Sequence, residues 1–286
     1  MKKIVFVLIS LIITVACNFT KENENLDSKK GKLFIIGGGK KSPELLRKMA
    51  RVAELDSSGY TIVLPMSSSI PDTSGYWIKQ DLKKINVSNV HVFNLQSKAK
   101  MTKMKLDSVK NASLVYITGG NQNTFMKIAG NTPLVPAIRE AYEKGAVIAG
   151  TSAGAALMSK KMITGNEFKH PEYTGDFKTI EANNIEIKNG LGLLRNAIID
   201  QHFIQRMRMN RLLSACLENP DQTGIGIDES TAILVEGNNA TVYGEGQVIV
   251  IRNTQMKSRV KNGLLGGNNL NLSVYLPGEN FKIKRN

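Results

Sequence analysis

The run Ala146-Val147-Ile148-Ala149 breaks directly into Gly150-Thr151-Ser152-Ala153-Gly154, and Ala155-Ala156-Leu157-Met158 continues with side chains suited to a helix. A short apolar run bounded in this way reads as a buried strand. The small-residue turn after it is tight enough to thrust Ser152 above the sheet edge. Its flanking glycines supply the backbone freedom and the clearance that such a turn needs. The pentapeptide has the form of a nucleophile elbow, which commits this stretch to a strand, turn and helix with Ser152 as candidate nucleophile.

The rest of the chain repeats the alternation. Lys32-Leu33-Phe34-Ile35-Ile36 runs into Gly37-Gly38-Gly39, after which Ser42 caps a helix carrying Pro43 in its first turn and continuing to Val52. Strands follow at Thr61 to Pro65, His91 to Leu95 and Ser113 to Ile117, separated by helical segments at Gly75 to Ile85, from Gln122, and at Leu134 to Lys144. Near-continuous apolar strands separated by helices predict an α/β fold, a doubly wound, mostly parallel sheet with helices on both faces. Beyond the elbow, Phe168 to Thr179 reads as a loop, Ile180 to Ile187 as extended, and Ala197 to Asp200 as a short strand. A helix carrying Arg206, Arg208 and Arg211 and a further run from Gly224 to Val235 come next. The alternation from Ala240 onward adds antiparallel strands near the C-terminus. Ligands of such sheets bind beyond the carboxyl ends of the strands, where Gly37-Gly38-Gly39, Gly119-Gly120 and Gly150 all fall. The first glycine run lacks both dinucleotide and Walker spacing.

The ends and the composition bound the partners. Lys2-Lys3, the apolar Ile4 to Ile13 and Thr14-Val15-Ala16-Cys17 read as a signal segment over residues 1–16, with the Cys17 position resembling the lipidated first residue of a bacterial lipoprotein. Residues 17–31, rich in Asn, Lys and Glu, read as a flexible tether, and residues 32–286 as a single catalytic domain. This predicts a protein of the cell envelope, lipid-anchored to a membrane outside the cytoplasm, periplasmic or on an outer membrane. The 38 basic against 24 acidic side chains give a formal charge of +14. The lysines are scattered without interleaved aromatics and no nucleic-acid motif is present, so a solvated basic surface is expected and no nucleic-acid partner. Cys216, in the apolar helical stretch Leu212 to Leu217, reads as a core residue.

A serine hydroxyl needs a base, and imidazole suits that task near neutral pH. Of three histidines, His91 begins a strand and His170 sits beside Pro171 in a polar loop. His202 ends an apolar strand within Asp200-Gln201-His202-Phe203 and is the candidate base.

Four blocks now stand in order: Thr118-Gly119-Gly120-Asn121-Gln122, Gly150 to Ala155, Asp200-Gln201-His202-Phe203 with Arg206, Arg208, Arg211 and Leu212, and Gly226-Ile227-Asp228-Glu229-Ser230-Thr231-Ala232. Together they resemble the serine-peptidase family of cyanophycinase and dipeptidase E, over about residues 32 to 250. The resemblance implies a flavodoxin-like fold of the class I glutamine-amidotransferase type, usually dimeric. It also implies hydrolysis of β-aspartyl-arginine or related isoaspartyl bonds without metal or cofactor. Ser152 then matches the nucleophile, His202 the general base and Glu229 the acid that orients it. Asp228 is adjacent, and strand alternation aims only one of the two inward. Backbone N–H groups of Ala153 and of the Gly119-Gly120 turn would hold the oxyanion. Gln122, Asp200, Gln201 and Arg206 occupy family positions near a peptide substrate. Arg206 and Arg208 are expected on different faces of their helix, at least one of them at the surface or a dimer contact. Two other classes stand beside this one: a catalytically silent lipoprotein using the cleft to bind peptides or polyanions, and a glutaminase, which Ser in place of Cys at the elbow disfavours.

Overall fold

The computed structural model describes residues 31–55, 58–172, 175 and 177–283. The signal segment, Cys17 and the tether up to residue 30 lie outside the described residues. Gly31 belongs to the body rather than the tether, because it is buried and its N–H donates to Tyr142 O at 2.7 Å.

The first half alternates as its sequence requires. β1 (Lys32–Ile36) leads to α1 (Pro43–Val52), β2 (Thr61–Leu64) to α2 (Pro71–Lys83), and β3 (Val90–Val92) to α3 (Lys103–Lys110). β4 (Leu114–Ile117), α4 (Gln122–Ala129), α5 (Leu134–Glu143), β5 (Val147–Thr151) and the single turn α6 (Ala153–Ala156) follow. Ser42 Oγ accepts the Leu45 N–H at 3.2 Å with Pro43 in the first turn, so α1 starts where its capping residue places it. These five strands pair in parallel in the order β1-β5-β4-β2-β3.

The second half departs from simple winding. β6 (Lys161–Glu167) and β7 (Ile185–Asn189) pair antiparallel; then come β8 (Ala197–Gln201), α7 (Met209–Glu218), β9 (Thr223–Ile227), β10 (Thr231–Glu236), β11 (Asn239–Gly244) and β12 (Val248–Asn253). β13 (Arg259–Lys261), β14 (Leu264–Gly266), β15 (Leu270–Tyr275) and β16 (Asn280–Lys282) complete the chain's strands among the described residues. The large sheet runs β16-β11-β10-β1-β5-β4-β2-β3, its antiparallel part confined to one end, and a second sheet runs β15-β12-β9-β8. The run from Gly224 to Val235 therefore splits, β9 joining one sheet and β10 the other, with Asp228, Glu229 and Ser230 at the corner between them.

Alternation along β1 explains the layering. Phe34 and Ile36 face α1 and α2, packing with Leu45, Leu46, Met49 and Ile78. Leu33 and Ile35 face the opposite side, where Phe125 of α4, Ile138 of α5 and the second sheet's Ile199, Ile225 and Val250 share one core. α7 covers the far face of the second sheet through Leu212, Ala215 and Cys216 against Ile198 and Ile251. Burial pushes the Cys216 thiol pKa up to about 12, consistent with a core side chain rather than a reactive one. The helices on both faces and the second sheet leave the carboxyl ends of β1, β4 and β5 open, and the β8 and β9 ends meet them there.

Candidate active site

The strand ends build the site. β5 stops at Thr151, and Ser152 takes φ 54° and ψ −113°, a conformation costing about 1–3 kcal/mol that is held only where the surroundings over-determine it. The Ser152 N–H donates to Ile36 O at 3.0 Å, tying the turn to the end of β1. Close packing fixes the flanking residues: a Cβ on Gly150 would lie 2.3 Å from Gly154 O, and one on Gly154 would lie 2.4 Å from Ile117 O.

His202 arrives from the second sheet. It too has a positive φ, 49°, and its N–H donates to Gly37 O at 2.8 Å, a bond that joins the two sheets at the site. Its Nε2 lies 2.7 Å from Ser152 Oγ and its Nδ1 2.5 Å from Glu229 Oε1. Among the described residues the other two histidines are engaged elsewhere, His91 with Asn89 and His170 with Glu181. The corner at residues 228–230 separates the two neighbouring acids. Glu229 turns toward the imidazole, while Asp228 Oδ1 accepts the N–H groups of Ile204 at 3.1 Å and Gln205 at 2.9 Å. Asp228 thus caps the turn that follows His202.

Gly38 and Gly39 are part of this assembly, with φ of 126° and 66°. A Cβ on Gly38 would sit 2.3 Å from His202 Cε1, and one on Gly39 would sit 2.8 Å from Glu229 Cβ. The backbone after β1 is the surface against which the imidazole and its carboxylate pack, and no side chain fits there. The signal was the unexplained glycine run after β1; its partners were not legible without the fold.

Burial draws the His202 pKa below its ordinary value, aided by the cations Arg206 and Arg208 and opposed by the Glu229 hydrogen bond. The imidazole is therefore held in the neutral form that can accept a proton from Ser152. Gly119 is close beside the nucleophile: a Cβ there would lie 3.2 Å from Ser152 Cβ. Ala153 opens α6, so its N–H is one of the helix-start donors with no acceptor in its own helix.

Ser152 and His202 open onto a cleft of about 510 Å³. Gly119 and Gly120 line it beside the nucleophile, Tyr116 and Thr118 lie deeper, and Lys41, Trp77, Asp81 and Arg206 stand around it. Among the described residues no group of three or more His, Cys, Asp or Glu side chains is placed to hold a metal ion.

Of the four side chains expected at the substrate, only Arg206 lines this cleft. Asp200 is fully buried in an ion pair with Arg211: Oδ2 accepts from Nε at 2.8 Å, and Oδ1 accepts from Nη2 and from the Gln201 N–H. Arg211 also stacks on Phe177 at 4.4 Å. Gln201 is buried, and its carbonyl and side-chain oxygens both accept from Arg208 Nη1 at 2.7 Å. Gln122 Nε2 donates to Ile163 O and Thr164 O, pinning the β6 backbone against α4. Gln122, Asp200 and Gln201 are absent from the lining of this cleft: each is buried, Gln122 on the β6 backbone, Asp200 on Arg211 and Gln201 on Arg208. The expected helix also starts later, at Met209, with Arg208 at its N-cap and buried, since the capped turn at residues 204–205 and a left-handed Met207 (φ 48°) intervene. Arg206 stays exposed at the cleft.

Comparison with known proteins places the chain. The model of peptidase family S51 matches residues 33–243. A cyanophycinase from Nostoc sp. is 30% identical over 266 residues, covering 89% of this chain and 86% of that protein. Peptidase E from Pasteurella multocida is 24% identical over 181 residues, covering 60% of this chain and 69% of that protein. A crystal structure of a peptidase from an acI-B1 Actinobacterium superposes with a TM-score of 0.66 at 20% identity, covering 89% of this chain and 98% of that one.

Proposed function

This chain belongs to peptidase family S51 and is a serine-type peptidase, and on that premise we propose that it hydrolyses β-aspartyl peptides, of β-Asp-Arg or related isoaspartyl type, through an acyl-enzyme on Ser152. The observation that carries the mechanism is the unbroken hydrogen-bond chain from Ser152 Oγ through His202 to Glu229, opening onto the cleft. Ser152 Oγ attacks the scissile carbonyl carbon while His202 Nε2 takes its proton, and Glu229 stabilises the resulting imidazolium through Nδ1–H. The oxyanion is received by the N–H groups of Ala153 and the Gly119-Gly120 turn, each such donor contributing about 3 kcal/mol. Collapse expels the amine, which leaves with the proton from His202. Water then attacks the ester by the same relay, releasing the acid and restoring Ser152.

The β-aspartyl assignment is supported by the similarity to cyanophycinases and by Arg206 at the cleft, a guanidinium suited to a substrate carboxylate. The proposal includes anchoring in the cell envelope through a lipid on Cys17, read from the charged and apolar segment before it, and a homodimer, the usual state of the family it resembles.

The test is turnover of cyanophycin and a panel of β-aspartyl dipeptides by residues 18–286, with Ser152→Ala as control. The variant should stay folded and lose kcat by about 10⁵- to 10⁶-fold. Undiminished turnover removes Ser152 from its role. Absence of any β-aspartyl turnover, with Ser152 unlabelled by serine-directed reagents, favours the silent binding role.

A further inference from the structure

Among the described residues, the acids in and behind the cleft have closer partners than its cations. Glu229 is held by His202, and Asp81 is paired with Lys84 at 2.9 Å. Lys41, half-buried in the cleft wall two residues beyond the glycines that cradle His202 and Glu229, has no described carboxylate within ion-pair distance. Its ammonium makes one long hydrogen bond, 3.3 Å, to Gly39 O, leaving donors free. An ammonium withdrawn from water without a counter-ion is costly, and burial draws the Lys41 pKa below the ordinary lysine range, Asp81 opposing the shift. A ligand carboxylate would offset that cost.

We infer that Lys41 is a specificity-determining residue, which receives the free α-carboxylate of the substrate's aspartyl residue beside Ser152 and so selects acidic substrates over neutral ones. This rests on the proposed β-aspartyl reading and adds a residue to it. The geometry is suited to the task. Lys41 and Arg206 both line the cleft onto which Ser152 and His202 open, and exposed Trp77 supplies an apolar flank for the rest of a peptide. The competing role is structural: the bond to Gly39 O could merely brace the glycine loop. A brace would serve acidic and neutral ligands alike, whereas a carboxylate receptor distinguishes them.

The experiment measures binding rather than turnover, by calorimetry on Ser152→Ala with β-Asp-Arg and with the same dipeptide carrying an α-amide in place of the aspartyl α-carboxylate. The acid should bind tighter by about tenfold or more, the discrimination typical of a charged hydrogen bond. In Ser152→Ala/Lys41→Gln the preference should disappear while affinity for the amide is unchanged, and Lys41→Arg should restore it. Equal affinity for acid and amide in Ser152→Ala, no binding of either, or a preference that survives Lys41→Gln overturns the inference. Parallel loss of both ligands in Lys41→Gln also overturns it, in favour of the brace. A Lys41-dependent preference in a protein whose native form hydrolyses no β-aspartyl peptide sinks the proposed function and leaves the carboxylate site standing.

Discussion

Residues 200 to 202 sit side by side at the end of one strand, yet their side chains belong to two clusters of opposite character. Asp200 faces Arg211 in a pair sealed from solvent, stacked on Phe177 and closed by the Gln201 N–H. His202 faces Glu229 in a pair of similar chemistry, but its other nitrogen meets a serine hydroxyl at the wall of a cleft. The first cluster is closed off from solvent and turned onto its own partners, so it serves to hold the strand. The second ends on a group that can react. An acid beside a cation therefore says little about function until the far end of the hydrogen-bond chain is known.

The contrast can be broken at several points. The largest effect is expected from Glu229→Gln, which keeps the shape but favours the wrong tautomer of His202 and should lower kcat by about 10⁴-fold with little loss of stability. Asp228→Ala, one residue away, should leave kcat within about tenfold and show its effect in the denaturation midpoint instead, since a capping acceptor contributes roughly 1 kcal/mol. Steady-state kinetics beside urea melts separate the two. On the sealed side, Asp200→Ala strands a buried guanidinium and should cost about 3–5 kcal/mol of stability, much of it recovered in Asp200→Ala/Arg211→Met. If Asp200→Ala folds as stably as the parent and fails only in KM, the sealed cluster is a substrate site after all.

The smallest effect sharpens the open side. Catalysis needs neutral His202, whose pKa burial and the nearby arginines hold down, so the acid limb of kcat/KM should fall below the ordinary imidazole value of about 6.5. Arg206→Gln removes one of the charges that lowers it and should move the limb to higher pH. A limb that stays put or moves to lower pH would remove Arg206 from the field around the base.

Legibility in the sequence followed the range of the interactions. The elbow could be read from the contiguous residues Ala146 to Met158 because a strand, a tight turn and a helix start are each decided locally, and the cap at Ser42 likewise. Asp228 and Glu229 could not be separated that way. Alternation would settle them inside a strand, but they lie at a corner between two sheets, where Ser230 has a positive φ of 53° and neither strand's period applies. The arginines after His202 misled for a related reason: their spacing suits a helix, yet the Asp228 cap, twenty or more residues away in sequence, holds a turn there. Lys41 gave no signal, since an isolated lysine after a glycine run is indistinguishable from a surface one until the cleft closes around it.

By itself the sequence determined the α/β alternation, the serine at the elbow and the histidine at a strand end, because apolar periodicity and glycine placement act over a few residues. Only the tertiary structure decided which acid meets the imidazole, which polar residues are buried as support, and which cations line the cleft with the nucleophile. Those outcomes depend on burial and on partners brought together from distant strands, and desolvation sets the energy of a charged group only once its neighbours are in place.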